Sequence, residues 1–175
     1  MKKKFSAYDI ALSALACAMA TVLLTVGVYS EILLFTGYLF GAIALMLPLA
    51  KQSYRGYALA YVATSLLAIL FNPARIFDLL PFICFFGLHP LANELQLKIK
   101  INRWVACVIK ALWFDITMYL VWFFLFDAAM DIPIDPKYIL PIFVVLGSAF
   151  FVFYDYAMYK WRFVINRLVK RINKK

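Results

Sequence analysis

Arg75 and Asp78 stand three residues apart in FNPARIFDLLPF, residues 71–82, between two apolar runs and beside Pro73 and Pro81. At that spacing a guanidinium and a carboxylate share a helical face, where they either pair with each other or form a rim that holds part of a polar solute. Asp115 is a second isolated carboxylate. It lies about eleven residues into an apolar run, near mid-membrane by helix rise. A carboxylate there must be paired, protonated or wetted. Thr64, Ser65 and Tyr119 are its candidate neighbours, whereas Lys110, five positions earlier, has poor spacing for a helix pair. Asp115 therefore reads either as part of a structural polar network or as a group in transport coupling or a pocket floor. Asp155 is expected nearer the inner edge of the membrane, hydrated or paired with Arg162 or another basic residue of the tail. His89 is the only histidine, so it gives no metal centre and is expected as a helix-end hydrogen-bonding group.

What the sequence lacks narrows the chemistry further. It has no glycine-rich loop ending in GK[ST], no HExxH pair and no Ser/His/Asp set. No catalytic residue, metal or cofactor is expected, and the chain is not read as an enzyme; aspartate chemistry through Asp115 is the one enzymatic route left open. Cys17, Cys84 and Cys107 sit in apolar stretches without framework spacing. They are expected as buried small hydrophobes and not as disulfides.

The elements that must position these groups are membrane helices. The 175 residues are 66% hydrophobic with a mean hydropathy of +0.87, against roughly half apolar in soluble domains. The apolar residues come in blocks, and six spans are expected: 8–29, 32–50, 55–71, 76–93, 104–126 and 138–159. Each can cross most or all of a hydrocarbon core of roughly 30 Å. The first span is longer than a signal-peptide core and no polar domain follows it, so it is expected to be retained. Asn72 ends the third span because a residue before proline is pushed out of the helical region. Pro48, Pro81 and Pro90 are expected to kink their helices. The fold class is all-α: a polytopic membrane protein, a compact six-transmembrane-helix bundle forming one domain over 1–175. Beyond Tyr159 a short basic amphipathic tail is expected, with Trp161, Val164, Ile165, Leu168 and Ile172 on one face.

Charge sets the orientation. With both termini cytoplasmic, Lys2–Lys4, Lys51, Arg55, Lys98, Lys100, Arg103 and the basic residues from Lys160 onward all fall inside, and only Arg75 and Lys137 fall outside. A multi-pass protein of the cell membrane is expected. The net charge of +9 then reflects orientation and contact with anionic lipid, not nucleic acid. The outer face collects Glu31, Asp78, Asp127, Asp131 and Asp135, interleaved with aromatic residues. A pocket lined by several rings and a few polar groups suits a flat organic solute. The candidate substrate-binding residues are Tyr29, Glu31, Phe35, Arg75, Asp78, Trp122, Asp127, Asp131 and Tyr138.

Small residues recur along the first span: Ala7, Ala11, Ala14 and Ala18, with Ala16 and Ala20 as a second pair. Small residues let helices approach closely, within the chain or against another membrane protein. Ala14-Leu-Ala-Cys-Ala18, overlapping Ala16-Cys-Ala-Met-Ala20, together with the six-helix layout and the basic C-terminal end, resembles the S components of energy-coupling-factor vitamin transporters. The resemblance implies a substrate-specific binding subunit of an ATP-driven uptake transporter. Such a subunit binds a vitamin or related small solute at the outer face. It docks through first-helix alanines, here Ala14, Ala18, Ala16 and Ala20, on a transmembrane coupling subunit that works with two cytoplasmic ATPase subunits. No segment matches a signature for a particular vitamin. The competing expectation is a non-catalytic structural or assembly membrane protein with no small ligand.

Overall fold

The computed structural model describes residues 6–30, 32–126 and 136–172, all in helices or the turns between them. Helix α1 (Ala7–Ser30) opens on a reciprocal cap: the Asp9 amide donates to Ser6 Oγ at 3.2 Å, and Asp9 Oδ2 accepts from the Ser6 amide at 3.0 Å. Two otherwise unpaired donors of the first turn are thereby satisfied. Helix α2 (Leu34–Leu49) folds back along α1, and helix α3 (Tyr54–Phe71) follows after a turn in which Gln52 adopts a left-handed conformation, φ 56°. Asn72 stops α3 before Pro73, and its side-chain amide donates to the Ala68 carbonyl at 2.7 Å.

Pro73–Ile99 is one rod broken twice. A 3-10 turn, Pro73–Arg75, leads into α4 (Ile76–Pro81); a π-helical turn, Phe82–Phe86, separates α4 from α5 (His89–Ile99). The π turn follows Pro81, which has no amide to donate; the Gly87 amide reaches five residues back to Phe82. Three tyrosine hydroxyls from the neighbouring helices cap carbonyls along this rod. Tyr38 donates to Asp78, Tyr57 to Gly87, and Tyr61 to Ile83 at 2.5 Å. Helix α5 ends on Lys100, again left-handed at φ 58°. Asn102 then caps α6 (Arg103–Phe126) by accepting from the Trp104 amide at 2.9 Å.

Helix α7 (Pro136–Ile172) has 37 residues, about 56 Å by helix rise. The basic stretch beyond Tyr159 continues this helix: Lys160 onward carries no glycine or proline, so the helix runs on past the apolar part. On this extension Ile165 and Val169 are buried, while Phe163, Val164, Leu168 and Ile172 are exposed. Helix α1 packs chiefly on α2 and α3, α6 on α7, and α2 also meets α5 and α7. Cys84 is exposed, not buried as expected, because it is the outward residue of the π turn whose Phe82, Phe85 and Phe86 point inward.

Every expected span coincides with a helical segment. Four of these, Ala7–Ser30, Tyr54–Phe71, the broken rod Pro73–Ile99 and Arg103–Phe123, are long and apolar enough to cross a membrane. Large apolar side chains face outward along them, among them Val22, Leu66, Leu70, Val108 and Ile116. A water-soluble fold would bury such rows, so this is a membrane protein.

Helices α1 and α2 approach closely through their glycines. A Cβ on Gly37 would stand 2.8 Å from the Leu23 carbonyl oxygen and 3.2 Å from Gly27 Cα. Gly37→Ala gains about 1 kcal/mol of helix propensity but forces two backbones apart, an overpacking cost of roughly 1–3 kcal/mol. The expected outcome is a lower thermal unfolding midpoint in detergent micelles. Gly41→Ala, whose new carbon meets side chains alone, the Phe82 ring at 3.3 Å and Leu24 at 3.5 Å, should lower the midpoint less than Gly37→Ala.

Candidate functional site

Two clusters gather the polar and aromatic side chains. The first lies toward the turn between α1 and α2. Phe35 packs edge-on against Phe150 (4.7 Å between ring centres), Phe86 (5.5 Å) and Tyr38 (6.5 Å), and Tyr38 stacks on Phe86 at 5.3 Å. Phe114 continues the cluster, stacked on Phe150 at 5.8 Å. Arg75 Nε lies 2.5 Å from Asp78 Oδ2, the pair that their spacing allows. Because Tyr38 also bonds the Asp78 carbonyl, it joins this ion pair to the ring cluster.

Of the candidate binding residues, then, Phe35 and Asp78 come together through Tyr38, with Arg75 held by Asp78. Tyr29 is exposed at the end of α1, its hydroxyl 3.5 Å from the Phe71 carbonyl and apart from the stacked rings. Trp122 is half-buried and its ring centre is 6.1 Å from that of Tyr119. Tyr138 is exposed near the start of α7. Glu31, Asp127 and Asp131 lie outside the described residues.

Asp115 is buried, and its neighbours are not the expected ones. Ser148 Oγ on α7 donates to Asp115 Oδ2 at 2.8 Å. Gly147 makes room for the other oxygen, since a Cβ there would lie 2.6 Å from Oδ1. Ser65 instead turns back on its own helix and donates to the Tyr61 carbonyl at 2.9 Å. Asp115 thus faces α7, with Ser148 and Gly147 against its two oxygens.

The second cluster lies where α5, α6 and α7 meet. Lys110, only 7% exposed, donates from Nζ to Asp155 Oδ1 at 2.6 Å and to Asn93 Oδ1 at 2.7 Å. Asn93 Nδ2 is 3.4 Å from His89 Nδ1. His89 Nε2 approaches Asp155 Oδ1 at 3.1 Å, without hydrogen-bond alignment. His89 is fully buried and walled by Tyr154 (4.9 Å), Phe85 (5.3 Å) and Phe151 (5.9 Å). Two turns beyond Asp155, Arg162 of α7 pairs with Glu94 of α5, its Nη2 3.1 Å from Oε2. The hydrogen bonds that the Arg162 guanidinium donates to Glu94 push it above its usual range.

This cluster corrects two expectations. Asp155 pairs with Lys110 and His89, not with Arg162, because Arg162 is taken by Glu94. His89 does start a helix, but as a core group and not as an edge group. The only sequence signal for the cluster was a lone lysine and a lone aspartate inside otherwise apolar helices, with His89 and Asn93 one turn apart. Among the described residues no group of three His, Cys, Asp or Glu could hold a metal ion.

The alanines of α1 divide by face. Ala16 and Ala20 are fully buried against the rest of the chain and offer no surface to a partner. Ala14 and Ala18 are exposed. With Ile10, Ser13, Cys17, Leu59, Ala60, Ala63 and Leu67 they line an open apolar groove of about 420 Å³ between α1 and α3. Comparison with protein-family models, curated proteins and solved structures gives no match to this chain.

The second cluster yields a direct test of its energetics. Lys110→Met leaves the half-buried Asp155 beside His89 without its cation, and breaking a fully buried pair costs roughly 3–5 kcal/mol, so the loss here should fall below that range. Lys110→Met with Asp155→Leu removes both charges and should recover most of that loss. Thermal unfolding of the two variants in detergent is expected to place the double variant closer to wild type than the single one.

Proposed function

We propose that the chain is a substrate-specific binding subunit of an ATP-driven uptake transporter for a vitamin or related small solute. In this reading six helical segments cross the cell membrane with both termini in the cytoplasm. The lysines and arginines of the turns after α2 and α5 and of the end of α7 then meet the cytoplasm and anionic lipid. The aromatic cluster around Phe35, with Arg75 and Asp78 at its edge, then faces outward as the region that takes the solute. Tyr29, Trp122 and Tyr138, with Glu31, Asp127 and Asp131, belong to the same face. Flat rings with a few polar groups fit a planar organic molecule.

The observation that carries the reading is the groove on α1. A membrane helix that leaves Ala14 and Ala18 uncovered, beside an apolar trough of about 420 Å³, has the close-approach surface that another helix packs on. The resemblance of this alanine pattern to that of S components makes the occupant a transmembrane coupling subunit, which two cytoplasmic ATPase subunits would drive. Ala16 and Ala20, buried within the chain, take no part in the docking.

Ala14→Leu with Ala18→Leu should abolish co-purification of a coupling subunit and solute uptake while leaving solute binding intact. Normal assembly and uptake in that variant would remove the docking assignment. Arg75→Ala should weaken capture of an anionic or carbonyl-rich solute; unchanged binding would reduce Arg75 and Asp78 to a local ion pair. Native mass spectrometry of the complex purified from its own membrane decides between this reading and the assembly-protein alternative. A bound small molecule together with ATPase subunits supports transport, and neither being present supports the alternative.

A further inference from the structure

The end of α7 turns a basic face outward. Phe163, Asn166, Arg167, Lys170 and Arg171 follow one another at spacings of three, one, three and one, so they share one side of the helix. Together they line an open groove of about 520 Å³. Ile165 and Val169, which pack inward, lie on the opposite side. Among the described residues Arg167, Lys170 and Arg171 have no carboxylate partner, and no acidic residue occurs from Lys160 onward. Like charges three and four residues apart on a helix repel each other. The face therefore favours an anion.

The same face continues up the apolar part of the helix. Val152, Tyr156, Tyr159 and Phe163 follow at spacings of four, three and four, all exposed, with Phe153 beside them. The tyrosines already hold cations. Arg103 of α6 brings its guanidinium carbon 5.9 Å from the centre of the Tyr159 ring, and Lys160 Nζ lies 5.3 Å from that of Tyr156. Down one side of α7 the surface thus passes from apolar side chains, through tyrosines with cations, to unpaired cations. That is the order of a bilayer leaflet from hydrocarbon to headgroup. From Phe153 to Arg167 is about 21 Å of helix, close to the roughly 20–22 Å of one leaflet with its headgroups. Long side chains on a helix lean toward its N-terminus, so Arg167, Lys170 and Arg171 reach back toward the membrane.

We propose that this face is a binding site for one anionic phospholipid, with its phosphate among Arg167, Lys170 and Arg171 and an acyl chain along Phe163, Tyr159 and Phe153. The charge of the groove selects the headgroup, and the unbroken apolar run above it selects a ligand with a chain. A soluble acidic partner would match the cations and leave Phe163 and the tyrosines unmatched. From the reading above the inference uses only that the end of α7 meets lipid headgroups. The side of the membrane and the transported solute do not enter.

The test uses the full chain, stripped of lipid in neutral detergent and offered equal amounts of phosphatidylglycerol and phosphatidylcholine with the same acyl chains. Native mass spectrometry should show one phosphatidylglycerol retained in preference. Arg167→Gln, Lys170→Gln and Arg171→Gln together keep the helix propensity and should weaken that retention by about fivefold per cation removed. Arg55→Gln, Lys98→Gln and Lys100→Gln remove as much charge from other turns and should leave it nearly unchanged. Phe163→Ala, which alters no charge, should weaken it as well. Glycerol 3-phosphate, which has the phosphate without the chains, should not displace the lipid. Equal retention of the two lipids, equal loss in the two triple variants, or displacement by glycerol 3-phosphate would each overturn the proposal. Because the assay runs in detergent, its result does not depend on which way the chain is inserted, and failure here would leave the transport reading to its own test through Ala14 and Ala18.

Discussion

The fold depends on keeping backbone carbonyls satisfied where the helical ladder is interrupted in apolar surroundings. An unpaired buried carbonyl costs several kcal/mol in lipid, and the rod Pro73–Ile99 is interrupted at Asn72–Arg75 and again at Phe82–Gly87. Tyr38 from α2 and Tyr57 and Tyr61 from α3 supply hydroxyls to three of its carbonyls. These bonds clamp the irregular rod between two regular helices. The clamp fixes where Phe85 and Phe86 point, and those rings make the floor on which both clusters stand. Phe86 meets Phe35 and Tyr38 on one side; Phe85 meets His89 and Tyr154 on the other.

Much of this was legible in the residue pattern, and for physical reasons. Apolar blocks of membrane length show as such whatever their surroundings, so each helical segment could be bounded to within a few residues. The exception is α7, where a change from apolar to basic residues marks an interface without marking a helix end. Proline at 73 displaced its predecessor from the helix as expected. Arg75 and Asp78 are neighbours along one face, so their pairing needed no knowledge of the fold.

The second cluster was not legible, because its partners are joined only by how the helices rotate. Asn93 and Lys110 are 17 residues apart, Lys110 and Asp155 45, and Glu94 and Arg162 68. Helices apolar on nearly every side carry little periodicity to say which face turns inward. Asp115 shows the same difficulty: its place part-way along an apolar helix was readable, its facing was not, and the partner is Ser148 on α7 and not a residue of α3. The alanines of α1 divide likewise, Ala16 and Ala20 inward and Ala14 and Ala18 outward, on a stripe whose spacing alone treats all four alike.

The unbroken length of α7 has a mechanical consequence. Asp155 sits part-way along it, so contacts near Ser148 and contacts near Arg162 lie on opposite arms of one stiff lever. Seventeen residues separate Asp155 from Ile172, about 25 Å of helix. A swing of about ten degrees about Asp155 would carry the basic tip sideways by about 4 Å, while the arm bearing Phe150 moves the other way. Whatever touches one arm is thereby felt at the other.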